Sequence, residues 1–149
     1  IHGIVNLLNL IMRGVFDKYP DLSVVFQEAG HWWVPFLRYR MDEFYEMHPE
    51  DVQITPRKHA AGERYLDRTP SAYLDDNVYL CTQPFAMPRN ASEAEAMLEL
   101  SHAEQLFTYS SDWPHQTLDP PTWFYTSRAF DDDTREAILH GNAEEILDI

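Results

Sequence analysis

Apolar residues at Ile4, Leu7, Leu8, Ile11 and Val15 fall at i, i+3, i+4, i+7 and i+11. This single stripe, with Asn6, Arg13 and Asp17 off it, predicts one amphipathic helix over 2–18, closed by Pro20. The next apolar run, Val24-Val25-Phe26, is continuous rather than alternating, and predicts a strand over 23–27 covered on both faces. A helix is expected over 33–47, with Pro35 in its first turn, Trp33, Leu37, Met41 and Phe44 facing in, and Arg38, Asp42, Glu43 and Glu46 facing out. Residues 48–69, broken by Pro49 and Pro56, read as a long connection holding no more than a helical turn. A short helix over 70–76 has Thr69 as its cap and Pro70 at its first position. Strands follow at 78–82 and 105–109, separated by a helix to about 102 that Asn90 caps, with Glu93 placed as in a capping box. Helices over 121–128 and from Asp131 or Asp132 to about 139 complete the chain, Gly141 ending the latter and Asn142 capping the last turns.

Strands separated by helices imply an α/β fold with a parallel sheet. In such a sheet all C-terminal strand ends lie on one side, the side where barrels and doubly wound sheets place their sites. Each run here turns polar at that end: Gln27-Glu28, Thr82-Gln83, and Ser110-Ser111-Asp112.

Composition narrows the function. The chain has 149 residues, 44% of them hydrophobic, which is enough for one domain with a core. Its formal charge of −14 offers no basic footprint for nucleic acid or for an anionic membrane. Cys81 is the sole cysteine, so no intramolecular disulfide or thiolate cluster forms, and a cytoplasmic location is expected. The apolar runs fall short of the ~20 residues that span a bilayer. The start, Ile1-His2-Gly3, has neither an initiator Met nor the charged region of a signal peptide, so the chain is read as processed or as a piece of something longer.

Glu28, His31, Gln83, Asp112 and His115 are the residues expected around one pocket. Carboxylate and imidazole are hard or borderline ligands suited to Zn or Mn. Each has a plainer reading. Asp112 could cap the next segment, Glu28 could be a solvated loop carboxylate or pair with an arginine, His31 could be a neighbour of a helix cap, and His115 a loop residue. Gln83 could satisfy backbone groups at its strand end. Trp32, Trp33, Trp113 and Trp123 are read as core or wall, Cys81 as inert core, and His2, His48, His59, His102 and His140 as surface residues. The basic residues Arg57, Lys58, Arg64 and Arg68 are solvated or meet a carboxylate substrate.

Several segments carry a resemblance: Gly14 to Leu22, Val24 to Gly30, Trp33-Val34-Pro35 with Arg40-Met41-Asp42, Tyr79 to Pro84, Ser110 to His115, and Gly141-Asn142-Ala143. In this order they resemble the C-terminal half of the amidohydrolase-2 family. These are metal-dependent (β/α)8-barrel hydrolases and decarboxylases related to aminocarboxymuconate-semialdehyde decarboxylase. The resemblance implies a partial TIM barrel, with the three strands as its sixth, seventh and eighth. It implies that Asp112 is the metal-ligating aspartate at the end of the last strand, with Zn or Mn as cofactor. It also implies that His115 lines the substrate pocket; Trp113 and Gln83 are expected as further substrate-binding residues. Glu28 stands where relatives carry a catalytic histidine, so that job falls to Glu28, His31 or neither; in the parent a general acid or base is expected from Glu28, His31 or His115, and Asp112 is expected as a ligand or as acceptor of a proton from bound water. The family's His-x-His pair on the first strand has no match, and a barrel needs about 200 residues or more.

The expectation is therefore that 1–149 is the C-terminal part of one barrel domain, inactive alone. Its parent would be a hydrolase or decarboxylase of a small carboxylic or aromatic acid. The alternative is a non-catalytic half-barrel for binding or assembly. Open strand edges would favour association with the other half or as a homo-oligomer.

Overall fold

The computed structural model describes residues 2–52, 62 and 66–149. Most of the connection predicted at 48–69, with Arg57, Lys58, His59 and Arg64, lies outside them.

The first helix is interrupted. α1 (His2–Met12) ends and α2 (Val15–Lys18) begins around Gly14, whose φ of 63° is left-handed and whose N–H bonds Ile11 O at 2.9 Å. The apolar stripe runs on through this break, so periodicity alone does not reveal it. Glycine takes the left-handed turn without a Cβ penalty. β1 (Val24–Phe26) follows, then α3 (Val34–Met47) and a 3-10 turn at Pro49–Asp51. α4 (Pro70–Asn77) starts at Pro70 as expected, but Thr69 makes no side-chain cap bond. β2 (Val78–Cys81), α5 (Ala91–Ser101), α6 (Ala103–Leu106) and β3 (Phe107–Thr108) come next. Asn90 does cap α5, but through Ser92 N–H, while Glu93 N–H bonds the Asn90 carbonyl.

The chain closes with α7 (Thr122–Thr126) and α8 (Asp132–Glu136), the latter capped by Asp131, then a π-helical turn at Ala137–Gly141 and α9 (Asn142–Leu147). Gly141 does not end a helix, and Asn142 does not cap one. Both hold helical angles, and Asn142 N–H reaches back five residues to Ala137 O. Ile138 O in that wide turn accepts Tyr109 N–H at 2.8 Å, just past β3. The buried Asn142 side chain donates to Glu104 O at 3.0 Å and Phe107 O at 2.7 Å, fixing the start of β3.

The strands form one parallel sheet in the order β1-β2-β3, with Leu80 opposite Phe107 and Cys81 opposite Thr108. β2 is buried at every position. β1 is not covered on both faces as expected: it ends the sheet, and Val25 is 38% exposed. The chain divides into two compact units, Ile1–Val24 with Phe36–Val78, and Val25–Pro35 with Tyr79–Ile149. In the first, Leu7, Ile11, Phe16, Met41 and Leu74 are buried, and Phe16 stacks on Tyr73. Arg38, expected on the outer face of α3, is buried instead, its guanidinium forked onto Asp75 at 2.9 and 2.5 Å. In the second, Leu80, Phe85, Phe107, Phe124 and Ile138 make the core. The tryptophans are largely outside such cores, with Trp113 77%, Trp32 47% and Trp123 42% exposed, while Trp33 is half-buried on Ala29 O.

No helix among the described residues is long and apolar enough to cross a membrane.

Candidate metal centre

The second unit contains every strand end that the sequence marks. Past β1 the chain turns at Glu28, held at φ 52°. Past β3 it turns at Asp112, held at φ 61°. Left-handed angles are uncommon for residues with a Cβ, and such positions gather at functional sites. The Asp112 turn closes on itself: His115 N–H bonds Asp112 O at 2.8 Å, and Asp119 N–H bonds Ser111 O at 3.0 Å. Trp113–Pro114 is cis, as is Gln83–Pro84. The ends of β2 and β3 are also tied, by Thr82 N–H to Thr108 O and by Ser110 N–H to the Thr82 hydroxyl.

These turns bring Glu28, Asp112 and His115 together, with one ligand atom from each lying within 4.8 Å of the others. The Asp112 side chain is 11% exposed and His115 68%. Asp112 Oδ1 sits 2.7 Å from His115 Nδ1, and Oδ2 accepts the Thr117 hydroxyl at 2.9 Å. A carboxylate has about four lone-pair sites, so each oxygen keeps one for a cation. The two carboxylates offer oxygen donors that suit Zn or Mn, with the imidazole beside them, so these residues fit a divalent metal.

The other expected residues lie elsewhere. Gln83 is buried, and its Nε2 is 3.3 Å from both the carbonyl and the hydroxyl of Thr117, while its Oε1 has no hydrogen-bond partner among the described residues. Trp113 points its bulk outward, 77% exposed. His31 is not in the cluster. It is 1% exposed, stacked on Phe85 at 4.5 Å and edge-on to Phe107, with neither ring nitrogen hydrogen-bonded among the described residues. That burial lowers its pKa from 6.5 to about 4, leaving a neutral ring. Burial also raises the Cys81 thiol, in keeping with an inert core cysteine.

Two residues of the site have no counterpart in the sequence reading, Thr117 and Asp119. Asp119 is buried, accepts Phe85 N–H at 2.7 Å, and has its pKa raised by that burial, an effect the bond opposes and the nearby Asp112 charge reinforces. Its own backbone carbonyl accepts the Tyr109 hydroxyl. The polar alternation at 117 and 119, just before Pro120-Pro121, was the available signal.

The sequence model of the amidohydrolase family matches residues 3–149, and the chain belongs to that family. Among curated relatives it is 28% identical over 143 residues to gamma-resorcylate decarboxylase of Polaromonas sp. strain JS666, and 24% identical to the gamma-resorcylate decarboxylase of Rhizobium sp. strain MTP-10005. It covers 96% of itself but 39% of each relative. Among solved structures, 5-carboxyvanillate decarboxylase of Sphingomonas paucimobilis matches with a TM-score of 0.67 at 23% identity, over 97% of this chain and 39% of that one. The 5-carboxyvanillate decarboxylase of Novosphingobium aromaticivorans, complexed with manganese and 4-hydroxy-3-methoxy-5-nitrobenzoic acid, matches at 0.71 and 23%, over 98% and 38%. The fold is thus that of part of an amidohydrolase TIM barrel.

Proposed function

We propose that this chain supplies the last three strands of a metal-dependent decarboxylase acting on a hydroxylated aromatic acid, with residues 1–149 forming the C-terminal part of one barrel domain in the cytoplasm. The observation that carries this reading is the gathering of Glu28, Asp112 and His115 at the strand ends. The decarboxylase relatives, and the manganese in one structural neighbour, support it.

In this reading Asp112 is the principal metal ligand, and Glu28 stands within reach as a second. A divalent ion bound there would supply a Lewis acid against the substrate's anionic oxygens. Decarboxylation breaks the bond between ring and carboxylate, releases CO2, and leaves the electron pair on a ring carbon that must gain a proton. His115 is the group assigned to hold that proton. Ionised Asp112 can only accept, so His115 Nδ1 carries a hydrogen toward it and Nε2 is left for the exchange. His31 is assigned to packing, since both its ring nitrogens are buried. Buried Gln83 is bonded to Thr117, and the exposed Trp113 is the residue left to contact substrate.

The test is CO2 release from an ortho-hydroxybenzoate by the manganese-loaded full-length protein. Release that falls about 100-fold or more in Asp112→Ala supports the reading. Hydrolysis of an amide or ester without CO2 release would replace it with the hydrolase branch. Binding without turnover would favour the non-catalytic module.

A further inference from the structure

We infer that Thr117 is a positioning residue for Asp112, itself oriented by the buried Gln83; the inference rests on the metal-ligand reading of Asp112. Hydrogen-bond accounting gives the direction of each bond. The Gln83 amide atom near Thr117 faces a backbone carbonyl at 3.3 Å, which can only accept, so that atom is the nitrogen. The same Nε2 lies 3.3 Å from the Thr117 hydroxyl oxygen. A hydroxyl has one proton. With the amide N–H on a lone pair, that proton points to Asp112 Oδ2, 2.9 Å away.

The chain Gln83 to Thr117 to Asp112 therefore runs one way and ends on a carboxylate. Gln83 is 3% exposed, so its end of the chain does not drift. Asp112 is then held at both oxygens, by Thr117 at Oδ2 and His115 at Oδ1. A carboxylate fixed in this way loses little rotamer freedom on taking a cation, and such outer partners typically contribute about 10- to 100-fold in metal affinity. The arrangement also gives Gln83 a role that its burial allows, in place of direct substrate contact.

The test is titration of the full-length protein and its variants with Mn2+ alone, following free Mn2+ by electron paramagnetic resonance, with thermal melting recorded for each. Thr117→Val keeps the shape and removes the hydroxyl; a rise of about tenfold in Kd is expected. Thr117→Ser restores the hydroxyl and should return Kd to near the original value. An unchanged Kd in Thr117→Val, beside a large rise in Asp112→Ala, overturns the positioning role and leaves the metal-ligand reading standing. A Kd raised equally in the Val and Ser variants also overturns it, marking general damage to the loop. Unchanged binding in Asp112→Ala overturns both.

Discussion

Nδ1 of His115 lies 2.7 Å from Oδ1 of Asp112, and the backbone N–H of the same histidine bonds the backbone carbonyl of the same aspartate at 2.8 Å. Two bonds between residues three apart make the pair a product of one local turn. Glu28 comes to it from a different strand, through the order of the sheet. The centre thus has a locally built half and a half that depends on strand pairing.

His31 sets a stability dependence on acid. Its pKa is 6.5 when unfolded and about 4 in the fold, so between these values the unfolded chain binds a proton that the fold does not. Stability from this group is complete above pH 6.5 and is lost as pH falls, by about 2 kcal/mol at pH 5 and about 3 kcal/mol in all. His31→Leu should lack this component. Urea unfolding at pH 7 and pH 5 checks it: the wild type should lose about 2 kcal/mol more than the variant over that interval. An equal loss in both would show that His31 is not buried neutral.

Asn142 binds two backbone carbonyls, that of buried Phe107 and that of exposed Glu104, through one amide nitrogen. Asn142→Asp is nearly isosteric but replaces the donor with an acceptor. It should destabilise by about 3 kcal/mol and by no less than Asn142→Ala, because the carbonyls of Glu104 and Phe107 are left unpaired and face a carboxylate. Chemical denaturation measures the difference, and a neutral Asn142→Asp would contradict the role.

Arg38 and Asp75 form a forked ion pair with side chains 4% and 21% exposed. Asp75→Asn removes the charge that a buried guanidinium is forked onto and should cost about 3 kcal/mol. The double variant Arg38→Met with Asp75→Leu should recover most of that loss. The same unfolding series reads both.

The strands, their order along the chain and the acidic rim were legible because they rest on local signals: apolar runs of three or four residues, and the polar switch at each end. What was not legible depends on partners distant in sequence. Arg38 falls on the polar side of its helix by periodicity, yet Asp75, 37 residues on, draws it inward. Asn142 after Gly141 looks like a stop and a new cap, yet its side chain bonds the start of β3 instead. His31 looked like a neighbour of the site because it is three residues from Glu28, and a stack of phenylalanines claims it. Thr117 carries no motif of its own; its bond to Asp112 appears only once the 111–119 loop is closed.

The most direct measurement of the central claim is anomalous diffraction from crystals of the full-length protein grown with Mn2+. The expected result is a manganese peak about 2.2 Å from a carboxylate oxygen of Asp112, on the rim shared with Glu28 and His115. An ordered manganese elsewhere, with none at Asp112, would contradict the assignment of this rim as the metal centre.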